Sequence, residues 1–254
     1  MIKGNVKSID GSKKKIYIEG YGYKAYDKLI IATGARPVMP YGDDAEGVCC
    51  LRDLEDAVKI KEIAQKSQRC IVIGGGLVSL KAAWALNEIG KHVTVLVESN
   101  RVLSRAVDFF CSLIVADILS EHGINIMLES KIKGLSIETG KLKGIIMENN
   151  SLCPCDLVVV GKGVKPDIEL VKNSGIEVDR GIVVDNNMLT SLKDVYAAGD
   201  VAQAHSLLDG DCELFTLWPD AVEQGKIAAC HILGIPRSYQ GGISMNSVKF
   251  YGVP

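Results

Sequence analysis

Gly74-Gly75-Gly76, followed by Leu77-Val78-Ser79, is the stretch of this chain whose residue types and spacing most plainly admit chemistry. It matches G-x-G-x-x-G at the first two glycines and carries Ser79 in the third place. Gly74 would make a tight turn, and Gly76 would let the backbone approach a pyrophosphate. Unpaired N–H groups and the dipole of a following helix would favour the phosphate charge. The third glycine ordinarily lets helix and strand pack closely, so Ser79 should shift the helix slightly without abolishing the cradle. An acid some 20 residues on should accept a hydrogen bond from an adenosine ribose, and Glu98 stands there. Glu98 repels a 2′-phosphate and so favours NADH over NADPH. Arg101 would reverse that preference by pairing with the phosphate.

The elements around these residues suit the role. Cys70–Ile73 is an apolar β run, and Leu77–Ile89 carries Ala82, Ala83, Ala85 and Leu86 at helical spacing before stopping at Gly90. Val93–Val97 reads as a second strand ending at Glu98, and Phe109–Ser120 as a helix closed near Gly123. Strand, helix, strand in this order predicts a βαβ unit with a parallel sheet. Leu54–Ala64 predicts a surface helix ahead of it. Two other glycine patterns fit less well. Gly20-Tyr21-Gly22-Tyr23-Lys24-Ala25 leads into a strand pattern and reads as a turn. Gly161-Lys162-Gly163 follows a strand, but Pro166 leaves no room for a full unit, so it reads as a loop near a bound cofactor, with Gly163 a contact.

An internal repeat organises the rest. Asn5–Ile9, Lys15–Glu19 and Lys28–Ala32 read as a three-stranded antiparallel meander; Ile132–Ile137, Leu142–Met147 and Leu157–Val160 read as a second. Residues 27–37 align without a gap on residues 156–166, with Asp27, Gly34 and Pro37 matching Asp156, Gly163 and Pro166. Duplication is the expectation. The first copy's counterpart of the Gly74 turn would fall before Met1, which points to a missing N-terminal part.

Composition sets the outer bounds. The chain has 254 residues, 47% hydrophobic and 24% charged, with 29 Lys+Arg against 31 Asp+Glu, which is ordinary for a globular protein. A net charge of −2 gives nucleic acid no electrostatic foothold. No apolar run is long enough for a membrane span and no signal peptide opens the sequence, so a cytoplasmic protein is expected. The 8 cysteines include Cys49-Cys50 and Cys153-Pro-Cys155; without a second pair at zinc spacing these read as strand residues with reduced thiols. His92, His122, His205 and His231 are dispersed, so no metal site is expected.

Four further stretches carry a family resemblance. Thr190–Asp200, ending Val195-Tyr-Ala-Ala-Gly-Asp200, resembles the FAD motif of the pyridine nucleotide–disulfide oxidoreductase superfamily, and Tyr26–Pro37 its ATG signature. Cys70–Ala83 is similar to its NAD motif, and Trp218–Gly225 to its C-terminal helix start. With the ending Asn246–Gly252, the chain looks closest to the NADH:rubredoxin reductase and NADH-dependent nitrite reductase branch. The resemblance implies an α/β fold of two Rossmann-type parts, each with an antiparallel meander, the FAD part incomplete. Residues 1–68 and 166–254 would be a partial FAD domain and 69–165 the NAD(P)H domain. By the same carry-over, Asp200 would meet the FAD ribityl chain beside Gly199, Thr33 and Gly34 would line the domain crossing, and the helix from Ala221 would face the flavin.

Three departures stand out. The N-terminal FAD fingerprint is absent, Lys81 stands where the family often has Glu, and the dimerisation domain with its acid–base histidine is missing. The family's redox-active Cys pair is absent too, its usual place lying upstream of Met1, so disulfide reduction gains no support and no catalytic residue is named. The resemblance implies hydride passage from NADH to flavin in the intact protein, with electrons leaving to a protein or small acceptor. NADP stays open as coenzyme, as does a homo-oligomer. A module that binds NAD without FAD or activity is the other reading.

Overall fold

A computed structural model describes residues 1–42 and 45–253; Asp43, Asp44 and Pro254, which fall inside the two expected flavin-part spans, lie outside the described residues. The chain divides into two compact units, Met1–Arg36 with Lys165–Asn246, and Pro37–Val164 with Ser247–Pro254. In chain order the first unit opens with β1 (Val6–Asp10), β2 (Lys15–Ile18), β3 (Gly22–Ala25) and β4 (Leu29–Ile31), and β5 (Ala35–Pro37) leads out. The second unit holds β6 (Val48–Cys50), α1 (Leu54–Lys66), β7 (Arg69–Ile73), α2 (Leu77–Glu88), β8 (His92–Leu96), α3 (Phe109–Glu121) and β9 (Asn125–Met127). It continues with β10 (Ile132–Glu138), β11 (Lys141–Met147), β12 (Leu152–Pro154) and β13 (Leu157–Val160), and β14 (Val164–Pro166) leads back. The first unit then closes with β15 (Ile182–Val183), β16 (Val195–Ala197), β17 (Ala202–His205), β18 (Cys212–Leu214) and α4 (Trp218–Ile232).

In the second unit five strands form a sheet in the order β6-β13-β7-β8-β9, with every pairing parallel. All four residues of β13, Leu157–Val160, are buried, as a strand covered on both faces must be. One face packs Val72, Val95 and Val97 against Leu80, Ala83 and Leu86 of α2. The other packs Ile71, Ile73, Leu96 and Val160 against Leu142, Ile145 and Met147 of β11. In the first unit, a separate core gathers Ile31, Val195, Tyr196 and Ala197 with Ile227 and Ala228 of α4.

Both meanders differ from expectation in the same way. The third antiparallel strand is β3 in one and β12 in the other. Lys28–Ala32 and Leu157–Val160, expected as third strands, instead supply parallel strands: β4 pairs with β16, and β13 with β6 and β7. The error is shared because the two copies are built alike, each a meander followed by a strand that enters a parallel sheet.

The domain boundaries also move. Residues 37–68, expected in the flavin part, belong to the second unit because β6 pairs with β13 and α1 buries Ile60 and Ala64 in its core. Residues 247–253 join it as well: Tyr251 stacks on His122, its hydroxyl donates to Asn87 at 2.6 Å, and Phe250 lies in the core. Lys81 takes part in that docking. Its Nζ donates to the Lys249 carbonyl at 3.0 Å and sits 3.4 Å from the Trp84 ring centroid.

Candidate functional site

Register brings the candidate residues of the second unit to one end of its sheet. Ile73 lies opposite both Leu96 and Val160, so the Gly74 turn, the Val97-Glu98 segment and the Gly161-Lys162-Gly163 loop leave adjacent strands together. This is the carboxyl end of a parallel sheet, where open α/β sheets bind ligands. Gly74 adopts φ +118°, and a Cβ there would clash with the Gly161 carbonyl, so glycine is obligatory. At Gly75 an added Cβ would come within 2.8 Å of Val97 Cγ1. Gly76 behaves oppositely. It has an ordinary φ of −84°, and an added Cβ would meet nothing within 4 Å. The space above Gly76 is open.

Ser79, in place of the third glycine, is 2% exposed and donates a 3.0 Å hydrogen bond to the Gly161 carbonyl. Its hydroxyl ties α2 to the loop after β13. Leu77 and Val78 form the first turn of α2, whose N-cap is Gly76 with no side-chain cap. By contrast α1 and α3 are capped by Asp53 and Asp108, which accept from the backbone N–H groups of Asp56 and Cys111. The helix of the glycine turn therefore presents its N-terminal amides without a side-chain acceptor.

Glu98 lies two residues past the end of β8 and is bound to Lys162 across the end of β7. The Lys162 ammonium beside it, hydrogen-bonded first and by charge second, holds the Glu98 carboxyl below the usual carboxylate range. Lys162 was visible in the sequence as the middle of a glycine pair, but nothing there named its partner. Arg101 turns into its own loop, with Nη2 donating to the Ser104 carbonyl at 2.8 Å. Gly163 has φ +87° and its carbonyl accepts from Val38 N at 2.9 Å.

The first unit assembles its own set. Ile31 lies opposite Ala197 and its carbonyl accepts from Ala198 N at 3.1 Å, so the segments carrying Thr33 and Gly199 leave paired strands at the same end. Gly34 has φ +69° and open space at its Cβ position, while Gly199 has φ +78° with Ala221 Cβ 3.5 Å from where its own would be. Gln224 is fully buried on α4 and accepts from Gly199 N at 2.7 Å, which holds the turn that carries Asp200. Ala221 lies in the first turn of α4, which starts at Trp218 and, like α2, has no side-chain cap. Thr33 Oγ1 donates to the Asp167 carbonyl at 2.7 Å, and Arg36 Nε to the Asp167 carboxylate at 2.8 Å. Beside them a cavity of about 630 Å³ opens, lined by Ile30, Ala32, Thr33, Arg36, Asp167 and Glu169. That volume lies within the range of cofactor pockets.

Cys49, Cys70 and Cys155 are buried. Burial pushes the Cys70 thiol up to about 11 and Cys155 to about 12, so neither is a ready thiolate. Among the described residues no cluster of His, Cys, Asp or Glu could hold a metal ion, and no helix is long and apolar enough to cross a membrane.

Two units with parallel sheets, each ending in glycine turns beside an uncapped helix, define an α/β protein of the dinucleotide-binding type. The chain belongs to the pyridine nucleotide-disulphide oxidoreductase family, which matches residues 1–225. It is 34% identical over 251 residues to the assimilatory nitrate reductase electron transfer subunit of Bacillus subtilis (strain 168), covering 98% of this chain and 32% of that protein. To a rubredoxin-NAD(+) reductase of Pseudomonas putida it is 34% identical over 231 residues, covering 90% of this chain and 60% of the relative. A solved NAD-dependent persulfide reductase from A. fulgidus superposes with a TM-score of 0.92 at 30% identity, covering 99% of this chain and 48% of that one. The chain thus spans between about a third and 60% of the length of these curated relatives.

Proposed function

We propose that this chain is the coenzyme-handling part of an NAD(P)H-dependent flavin oxidoreductase that passes electrons to a small redox protein or a nitrite-reductase-type acceptor. The observation that carries the reading is the pairing of cap and cradle. α1 and α3 have aspartate caps, while α2 and α4, the two helices beside the glycine turns, have none. Against an acidic cap, a glycine N-cap such as Gly76 costs about a few tenths of a kcal/mol and an apolar one such as Leu217 about 1 kcal/mol, and a bound anionic group at the N-terminus would offset either.

In the second unit Gly74, Gly75 and Gly76 would clear the backbone for a pyrophosphate, Leu77 and Val78 would offer amides, and Glu98 and Gly163 would flank the nucleotide. In the first unit Thr33, Gly34, Gly199, Asp200 and Ala221 would hold the flavin side, with open space at Gly34 as the supporting fit. A bound flavin would supply a two-electron acceptor for the coenzyme and a donor toward the acceptor. The protein's part is to bind and orient, and no residue is assigned as acid or base. The acceptor follows the relatives, among which rubredoxin and nitrate reductase systems are named.

The test is calorimetric titration of the chain with NADH, followed by the visible spectrum after incubation with FAD and gel filtration. Saturable NADH binding is expected, and a flavin band near ~450 nm retained through gel filtration would show that the first unit holds FAD by itself. NADH binding without retained flavin would favour the second reading, an NAD-binding module. One observation leans that way: β4 pairs along a single edge among the described residues, whereas its repeat counterpart β13 pairs along two. A chain that binds neither coenzyme overturns the proposal.

A further inference from the structure

An acid at the end of the strand after a glycine turn ordinarily selects NADH by rejecting a 2′-phosphate. In this chain the acid does not stand alone. The sheet order β13-β7-β8 puts the ends of β13 and β8 on either side of β7, and the Lys162–Glu98 pair spans that gap above Ile73. Lys162 is the more enclosed partner, its side chain 25% exposed against 65% for Glu98. Its backbone is held on both sides: a Cβ at Gly161 would clash with the Ser79 hydroxyl, and Gly163 adopts φ +87°. The loop backbone is thus constrained on either side of Lys162, whose ammonium pairs with Glu98.

Side chains alternate between the two faces along the end of β8. Val97 packs in the α2-side core and Leu96 in the meander-side core. Glu98 emerges into a small cleft of about 170 Å³ that it shares with Tyr41, Ser130, Lys131, Glu148 and Lys162. Lys131 and Glu148 face each other there at 3.6 Å. The two acids and two lysines of this cleft balance, so Glu98 meets no net negative surroundings, and the Lys162 ammonium already lies beside its carboxylate.

We propose that Lys162 is a coenzyme-selecting residue: it neutralises Glu98 and offers a donor to a 2′-phosphate, so that the chain accepts NADPH as well as NADH. The proposal rests on the reading of the Gly74–Gly76 turn as a dinucleotide cradle. Charge-assisted contacts to phosphate are among the strong ones, and lysine serves them as a point charge.

The experiment measures dissociation constants for NADH and NADPH by nicotinamide fluorescence, at low and at high salt, for the unchanged chain, Lys162→Met and Glu98→Gln. The unchanged chain should bind the two within about threefold of each other, with NADPH binding the more weakened by salt. Lys162→Met should weaken NADPH about tenfold or more and move NADH by less than threefold. Glu98→Gln should tighten NADPH relative to NADH, and it serves as the second variant if Lys162→Met melts early. Both coenzymes binding with a ratio that neither substitution moves would overturn the selecting role and leave the cradle intact. No binding of either coenzyme to the unchanged chain would overturn both.

Discussion

The Ser79 hydroxyl donates to the Gly161 carbonyl across 82 positions of sequence, joining the first turn of α2 to the loop after β13. A glycine at position 79 would let helix and strand approach; serine instead bridges them. Ser79→Ala should remove a buried hydrogen bond and orphan the Gly161 carbonyl, at about 1–2 kcal/mol, partly offset by alanine's better helix propensity. A melting temperature a few degrees lower, by circular dichroism, is the expected result. No change would mean that the carbonyl finds another donor.

Gly74 and Gly76 lie two residues apart and should respond oppositely to a side chain. Gly74→Ala forces φ +118° on an L residue and drives its Cβ into the Gly161 carbonyl, so lost stability is expected. At Gly76 an added Cβ meets nothing within 4 Å and the backbone keeps a common conformation, so the fold should persist in Gly76→Val. Coenzyme binding is where the second variant should fail, because its side chain enters the open space above the turn. Unchanged NADH affinity in a folded Gly76→Val chain would count against the cradle.

Asp194 joins Lys14 and Lys28, which tie the first meander and the start of β4 to the turn before β16. Hydrogen bonds from Lys14 and then Lys28 hold its carboxyl down at about 2. Because the folded value lies below the unfolded one, this stabilisation is complete above pH ~4 and fades as pH falls toward about 2. Asp194→Asn keeps a residue tolerant of the observed φ of +66° while removing the charge. Urea midpoints should place it below the unchanged chain at pH 6, with the gap narrowing below pH 4. A gap independent of pH would assign the effect to packing.

Thiol reactivity gives a further check. Cys111 and Cys212 are exposed, whereas Cys49, Cys70 and Cys155 are buried. The Asp108 carboxylate beside Cys111 pushes that thiol up, so Cys212 should label ahead of it with a disulfide reagent at pH 8. Burial should keep Cys155 protected until denaturant exposes all 8 cysteines. Rapid labelling of Cys155 in the native chain would reopen the Cys153-Pro-Cys155 pair as a reactive site.

Much of the candidate site around Gly74 was legible in the residues because its determinants are local. Gly74 to Gly76, the apolar run before them and the helical spacing after them each act within a few positions of themselves, and β7, α2, β8 and α3 lie within a residue or two of expectation. The repeat of Asp27–Pro37 on Asp156–Pro166 was also visible, and the structure places both copies after a meander. Pairing was not visible. An apolar run such as Leu157–Val160 states that it is buried, not which strands bury it, and its partners β6 and β7 lie about a hundred residues away. Four consecutive buried positions, in place of alternation, were the available signal for an interior parallel strand. Long-range contact likewise decided that residues 37–68 belong with the second unit, and it brought Lys162 to Glu98. A charge on a loop carries no local mark of its partner, because the sheet, by setting β13 and β8 on either side of β7, chooses which charges meet.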